Sequence, residues 1–223
     1  MISFELQRRN MVESQVRPSD ITDRRVIAAM LAIPREAFVP AATRPLAYMD
    51  QDLPVGTSGP RAVRRALLAP RTLARMVQLL EIDTGDRVME VGTATGYGAA
   101  VLGRLAGEVI AVECDTGLAA TAKTTLADHN ISNIKMLIGP LEAGWPAEAP
   151  YNVILVSGAV SDVPAALLDQ LQDGGRLVAI TTDGGIGRLR LWQRVGTSFA
   201  ARSVGEASAP PLPGFEQAAG FVF

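Results

Sequence analysis

The 223-residue chain has one cysteine, Cys114, and one histidine, His129. A single thiol forms no internal disulfide, which fits a reducing, cytoplasmic setting, and one imidazole excludes a multi-histidine metal site. No other ligand cluster is visible, so no metal is expected. Aromatic residues make up only 5% of the chain, and no apolar run approaches the ~20 residues of a membrane span. The opening stretch MISFELQRRNMVESQVR is charged throughout and lacks the apolar centre of a secretory signal. Neither sign of charge dominates: 21 Lys and Arg face 23 Asp and Glu, a net charge of -2. That balance gives no general attraction to nucleic acid or to an anionic membrane. The sequence has no internal repeat, low-complexity tract or clear linker.

What is present is a folded-protein composition, 48% hydrophobic and 20% charged, in a chain long enough for one α/β domain with a small extension. Residues 3–17 read as a first helix that Pro18 stops. A second, with Asp20 or Thr22 as its cap, carries Val26, Ile27, Met30 and Leu31 at helical spacing and ends at Pro34. The proline-bounded stretches AFVP and PLAYMDQDLPVG read as irregular, and GTSGPRAVRRALLAP as a flexible segment carrying Arg61, Arg64 and Arg65. A third helix is expected from Pro70 to about Leu80. Apolar runs then alternate with helical stretches: RVMEV, EVIAVE, IKMLI, YNVILVS and GRLVAIT are the strands, and VPAALLDQLQ is the helix before the last of them. Apolar strands separated by helices predict a doubly wound, mostly parallel sheet of the Rossmann-like kind, covered on both faces. GRLRLWQRVG and TSFAARSVG predict an antiparallel C-terminal hairpin, and GFVF a last short strand. The division expected is an N-terminal helical cap and substrate-side segment over 1–80 and a core over 81–223, packed as one unit.

The chemistry sits in VMEVGTATGYGAA. The strand ends in Glu90, and Gly92, Gly96 and Gly98 follow, with Thr93, Ala94 and Thr95 completing the turn and Tyr97 opening the helix. A backbone turn of this kind brings a nucleotide against free helix N–H groups. A tight turn without a ligand is the alternative, but Glu113 ends the next strand about 20 residues later, where a ribose-binding acid is expected. A dinucleotide fingerprint needs G-x-G-x-x-G, and counting from Gly92 the chain has Ala94 and then Tyr97. The pattern E-x-G-x-G-x-G, which holds S-adenosylmethionine, is missed only at Ala94, and a cofactor without phosphate tolerates one methyl group there more easily. S-adenosylmethionine, leaving as S-adenosylhomocysteine, is therefore favoured over NAD. Cys114, which follows that acid, is a candidate for the adenine end, a small core residue being the alternative. His129 reads as a helix-end residue, and Trp145 and Trp192 as structural.

VMEVGTATGYGAAVLGRLAGEVIAVE resembles the cofactor segment of the protein-L-isoaspartate O-methyltransferases, whose GTxTGY form it shares. VIAAMLAIPREAFVP, AYMDQDLPVG and GWPAEAPYNVILVSGAVSDVPAALLDQLQDGGRLVAI are similar to further segments of that family, so the likeness covers most of the chain. The resemblance implies a class I methyltransferase core under an N-terminal helical cap. It also implies methylation of the free carboxylate of isoaspartyl residues in damaged proteins, a repair reaction. A carboxylate nucleophile and a sulfonium donor need no general base, so the absence of a catalytic triad does not count against an enzyme.

The chain departs from the family's pattern in three places. Leu68, in ALLAP, stands where the family's T-I-S-Q-P segment has a serine beside the substrate carboxylate. Pro140, in GPL, stands where the family has the aspartate of G-D-G on the adenine amino group, so the resemblance leaves the Leu141 N–H for the adenine ring and Glu142 in place of the lost carboxylate. The third is Ala94. With the serine gone, one of Arg61, Arg64 and Arg65, with Arg65 the first choice, is a candidate receiver of an acidic substrate group, since a guanidinium grips a carboxylate with two parallel hydrogen bonds; a solvated basic loop is the more ordinary reading for any one of them. Tyr48 and Asp50 are candidates for the substrate cleft, and Ser157, Gly158 and Ala159 for the methyl-transfer edge. Two alternatives stay open: a methyltransferase with another protein or small-molecule substrate, and an inactive cofactor-binding relative. Oligomeric state is not readable.

Overall fold

The computed structural model describes residues 3–59, 62–183 and 185–216. Arg61 and the expected strand over 220–223 lie outside them. At the N-terminus, α1 (Phe4–Met11) is capped by Ser3, whose hydroxyl accepts from Leu6 N at 3.2 Å, and continues as a wider π turn over Val12–Val16. A 3-10 turn over Arg17–Ser19 follows, so the chain stays helical past Pro18 and reverses at Asp20, whose φ is 60°. The cap of α2 (Arg24–Ala32) is Asp23, not Asp20 or Thr22: its carboxylate accepts from Arg25 N at 2.8 Å. Asp20 is committed to the preceding reversal, and Thr22 N is held instead by the Gln78 side chain.

The segment read as flexible is an ordered hairpin. β1 (Leu53–Ser58) and β2 (Val63–Leu67) pair antiparallel as a separate two-stranded sheet. Along β2, Arg65 and Leu67 are buried while Arg64 is exposed, the period-two alternation of a half-buried strand. Pro70 opens α3 (Pro70–Leu79) in the first-turn position that suits its missing N–H.

The main sheet has the order β5-β4-β3-β6-β7-β8-β9. Its parallel part consists of β3 (Arg87–Val91), β4 (Glu108–Glu113), β5 (Ile134–Ile138), β6 (Tyr151–Val160) and β7 (Leu171–Asp183). The crossovers carry α4 (Tyr97–Gly103), α5 (Thr116–Asp128) and a short α6 (Ala165–Leu168). The expected longer helix is cut to one turn because Leu171 already joins β7, opposite Tyr151. β8 (Ile186–Val195) and β9 (Ser198–Glu206) extend the sheet antiparallel, as the C-terminal hairpin predicted.

Alternation along each strand sends neighbours to opposite cores. Val88 belongs to the core that also holds Met11, Met30 and Phe38 of the N-terminal elements, whereas Met89 belongs to the one that holds Ile110, Ile154 and Trp192. β3 lies centrally with β4 on one side and β6 on the other, so its C-terminal end is where the strand order reverses, the crevice in which such sheets place ligands. No helix among the described residues is long and apolar enough to cross a membrane.

Candidate active site

Beyond Val91 the chain turns into α4 through a loop in which Gly92, Ala94 and Gly96 have φ of 81°, 52° and 92°. Gly92 N donates to Val112 O at 2.9 Å, tying the turn to the end of β4. Ala94 holds a left-handed conformation that costs an L-residue roughly 1–2 kcal/mol, and its N–H donates to Glu113 Oε2 at 2.8 Å. Gly96 forms the N-cap of α4.

Glu90 is fully buried beneath this loop, and Ser157 Oγ donates to its Oε1 at 2.6 Å. Burial pushes its carboxyl up to about 7, with the Ser157 and Thr93 hydroxyls opposing the shift. A Cβ on Gly98 would lie 2.0 Å from Glu90 Oε1. The third glycine of the motif therefore makes room for the acid rather than for a ligand. Glu90 Oε2 and Thr93 Oγ1 are buried without a hydrogen bond of ordinary geometry. They border a cavity of about 10 Å³ walled also by Leu67, Leu68, Tyr97 and Ser157, room for at most one water.

Glu113, at the end of β4, is also fully buried and is saturated by donors. Its Oε1 accepts from Cys114 N at 2.9 Å and Asp115 N at 3.0 Å. Arg65 then grips both oxygens, Nη1 to Oε1 at 2.5 Å and Nη2 to Oε2 at 2.8 Å. This overturns the expectation that Arg65 waits for a substrate carboxylate. The register of β2 turns it inward, and the carboxylate it meets is the chain's own. Arg64, its neighbour on β2, is exposed. The Cys114 thiol, half-buried beside this pair, is pushed up to about 11 by burial and then by the Glu113 charge.

The end of β6 is closed as well. Ala159 N donates to Pro210 O and Leu212 N to Ala159 O, both at 2.8 Å, so a strap over residues 207–216 runs along the strand's edge. Leu212 reaches over the loop, where a Cβ on Gly92 would come within 2.8 Å of it. Ala159 is consequently a strap contact, not an open edge. Leu141 is buried, and the part-exposed Glu142 carboxylate lies against the strap at Gly214.

Other candidates lie away from the loop. Tyr48 donates to Glu36, and its backbone oxygen accepts from Gln15 at 2.8 Å, so it ties the N-terminal elements together. Asp50 pairs with Arg71 at 3.2 Å in a separate open cleft of about 540 Å³ that also includes Asp52, Arg75 and Glu206. Thr95 Oγ1 donates to Phe38 O at 2.5 Å and serves the N-terminal cap. Tyr97 is buried edge-on to Phe38 at 5.8 Å, beneath the Arg35 guanidinium, which lies 4.7 Å from its ring centroid. Arg35 itself went unnoticed in the sequence. It is wholly buried, pairs with no carboxylate among the described residues, and donates to Ala47 O and to Leu68 O, both at 2.8 Å. A charge inside the apolar, proline-bounded PREAFVP was the available signal. Leu212 carried none, because its place in the site depends on the path of the strap.

Comparison with known proteins decides the family. The family model described as Protein-L-isoaspartate(D-aspartate) O-methyltransferase (PCMT) matches residues 6–205. The chain belongs to the protein-L-isoaspartate O-methyltransferase family. Among its relatives, the Protein-L-isoaspartate O-methyltransferase 2 of Anaeromyxobacter sp. (strain Fw109-5) is 43% identical over 174 residues, covering 78% of this chain and 69% of the relative. The Protein-L-isoaspartate O-methyltransferase of Methylorubrum extorquens (strain PA1) is 42% identical over 206 residues, covering 92% and 87%. A solved protein-L-isoaspartate O-methyltransferase superposes with a TM-score of 0.81 at 24% identity, covering 96% of this chain and 67% of that one. A Plasmodium falciparum structure described as a putative member, solved with S-adenosyl-L-homocysteine, gives 0.77 at 17% identity, covering 96% and 100%. These two share the fold. The family is one of S-adenosylmethionine-dependent O-methyltransferases.

The loop suits the family's cofactor in backbone and in polarity. It offers a buried acid and a hydroxyl without hydrogen bonds of ordinary geometry, Glu90 Oε2 and Thr93 Oγ1, and a second acid one strand away. What stands in the way is the chain itself, Arg65 on Glu113 and Leu212 over Gly92.

Proposed function

We propose that this chain methylates the free carboxylate of isoaspartyl residues in damaged proteins, using S-adenosylmethionine, in the reducing setting that its single cysteine suits. The observation that carries the reading is a buried acid and hydroxyl, Glu90 Oε2 and Thr93 Oγ1, without hydrogen bonds of ordinary geometry under a family-type loop, with Glu113 on the neighbouring strand. Glu90 and Thr93 would receive the amino-acid end of the cofactor, Glu113 the ribose hydroxyls, and Leu141 with Glu142 the adenine side. When bound, the cofactor supplies a methyl group on a sulfonium. The protein's own part is placement and dryness. Leu67, Leu68 and Tyr97 wall the inner cavity and leave room for at most one water, and attack of a carboxylate on a sulfonium neutralises both charges, so a dry setting favours the step. Arg35 fixes the Leu68 backbone from behind, which sets where the substrate-side wall stands. No proton need move, because the nucleophile is already ionised.

A second reading is favoured at one place. Leu68 is 4% exposed and offers no donor to a substrate carboxylate, so an acidic substrate other than an isoaspartyl peptide is the rival. The test is transfer of labelled methyl to an isoaspartyl peptide and to its aspartyl twin. Label on the isoaspartyl peptide alone is expected. Cofactor binding with neither peptide labelled would overturn the substrate assignment.

A further inference from the structure

Two elements from opposite ends of the chain converge on the cofactor loop. The β1–β2 hairpin delivers Arg65 to Glu113, and the strap over residues 207–216 delivers Leu212 to Gly92 and Gly158, where a Cβ on Gly158 would lie 2.6 Å from Leu212. Both side chains are buried in these positions, Arg65 at 1% and Leu212 at 4% exposure. The guanidinium presents two donors to the two oxygens of one carboxylate, the arrangement a vicinal diol would also offer. Arg65 thus stands in for the ribose, and Leu212 fills the space over the glycine turn.

We propose that Arg65 and Leu212 form a built-in plug, so that cofactor enters only when the guanidinium leaves Glu113 and the strap lifts from Gly92. The proposal rests on the assignment of Glu113 to the ribose end. Its physical basis is the small net gain of a buried ion pair once desolvation is counted. Removing both charges of a buried ion pair from water offsets most of their attraction, so exchange of Arg65 for other donors on Glu113 is thermodynamically accessible. Among the described residues the hairpin forms a sheet of its own, with no ladder to the main sheet, so it can shift without breaking a strand pairing of that sheet. Ser58 Oγ on its inner face is buried without a partner, which weakens the seated position further. Apparent affinity then equals intrinsic affinity reduced by the open fraction.

The test is calorimetric binding of S-adenosylhomocysteine to the full chain and to Arg65→Ala, Leu212→Ala and the exposed control Arg64→Ala. Arg65→Ala is expected to bind about tenfold tighter or more, Leu212→Ala tighter to a smaller degree, and Arg64→Ala like the parent. Ligand should also speed hydrogen exchange of the β2 amides in the parent chain. Should Arg65→Ala fail to fold, Arg65→Met keeps the aliphatic stem and carries the same expectation. Unchanged or weaker binding in folded Arg65 and Leu212 variants overturns the plug, as does the absence of binding by every variant. Tighter binding by the variants with no peptide labelled by the parent leaves the plug standing and removes the substrate assignment. Labelling by the parent with no gain in the variants does the reverse.

Discussion

Gly98 has no space for a methyl group, since its missing Cβ leaves room for Glu90 Oε1. Gly98→Ala is expected to destabilise the fold by about 1–3 kcal/mol, the range for overpacking a tight interior, and to weaken S-adenosylhomocysteine binding, both measurable by urea titration and calorimetry. Parent-like stability would mean that the carboxylate swings aside freely. Glu90 makes a separate prediction. Its ordinary pKa of 4.5 rises to about 7 in the fold, so the native state holds this proton more tightly than the unfolded chain does. Between those two pH values its contribution to stability falls as pH rises, because a buried carboxyl must ionise. Glu90→Gln should therefore gain in melting temperature relative to the parent from pH 5 to pH 7.5. Parallel curves for the two proteins would contradict a raised Glu90. At this scale the motif was legible because a strand-end acid and closely spaced glycines are local features. The partner that Arg65 finds was not legible, because Glu113 lies 48 positions away and the register of β2 decides which arginine faces it.

Among the elements, the β1–β2 hairpin separates local signal from tertiary context most sharply. Its glycines, Pro60 and arginines match the composition of a loop, and the alternation of β2 shows only when one arginine is counted as inward-facing. A buried carboxylate makes that inward arginine possible, and no local pattern announces it. The shortening of α6 has a similar cause, since pairing with β6 takes Leu171 onward into β7. The strands of the sheet core were readable because they are buried on both faces and hence continuously apolar. Between loop and cap, Thr95 is the joint: Thr95→Val keeps the shape and removes the bond to Phe38 O. A loss of about 1 kcal/mol is expected in chemical denaturation, typical for one buried hydrogen bond, and no change would show that the tie is not needed.

At the scale of the molecule, the N-terminal elements and the sheet share one core. Met11, Met30, Phe38 and Tyr97 pack in the same cluster as Val88, Val109 and Val178. The expectation is a single unfolding transition, with far-ultraviolet circular dichroism and the fluorescence of Trp145 and Trp192 giving coincident midpoints. Separate midpoints would make the N-terminal region an independent unit.

Residue order alone carried the alternation of strands and helices, the acid–glycine loop and the likeness to a methyltransferase family. Each depends on chemistry repeated over a few neighbouring residues, where period and spacing are visible. Whether that loop stands open was settled by contacts across the fold. Arg65 reaches Glu113 and Leu212 reaches Gly92 because a hairpin register and the path of a strap bring distant side chains together, and neither geometry has a local signature.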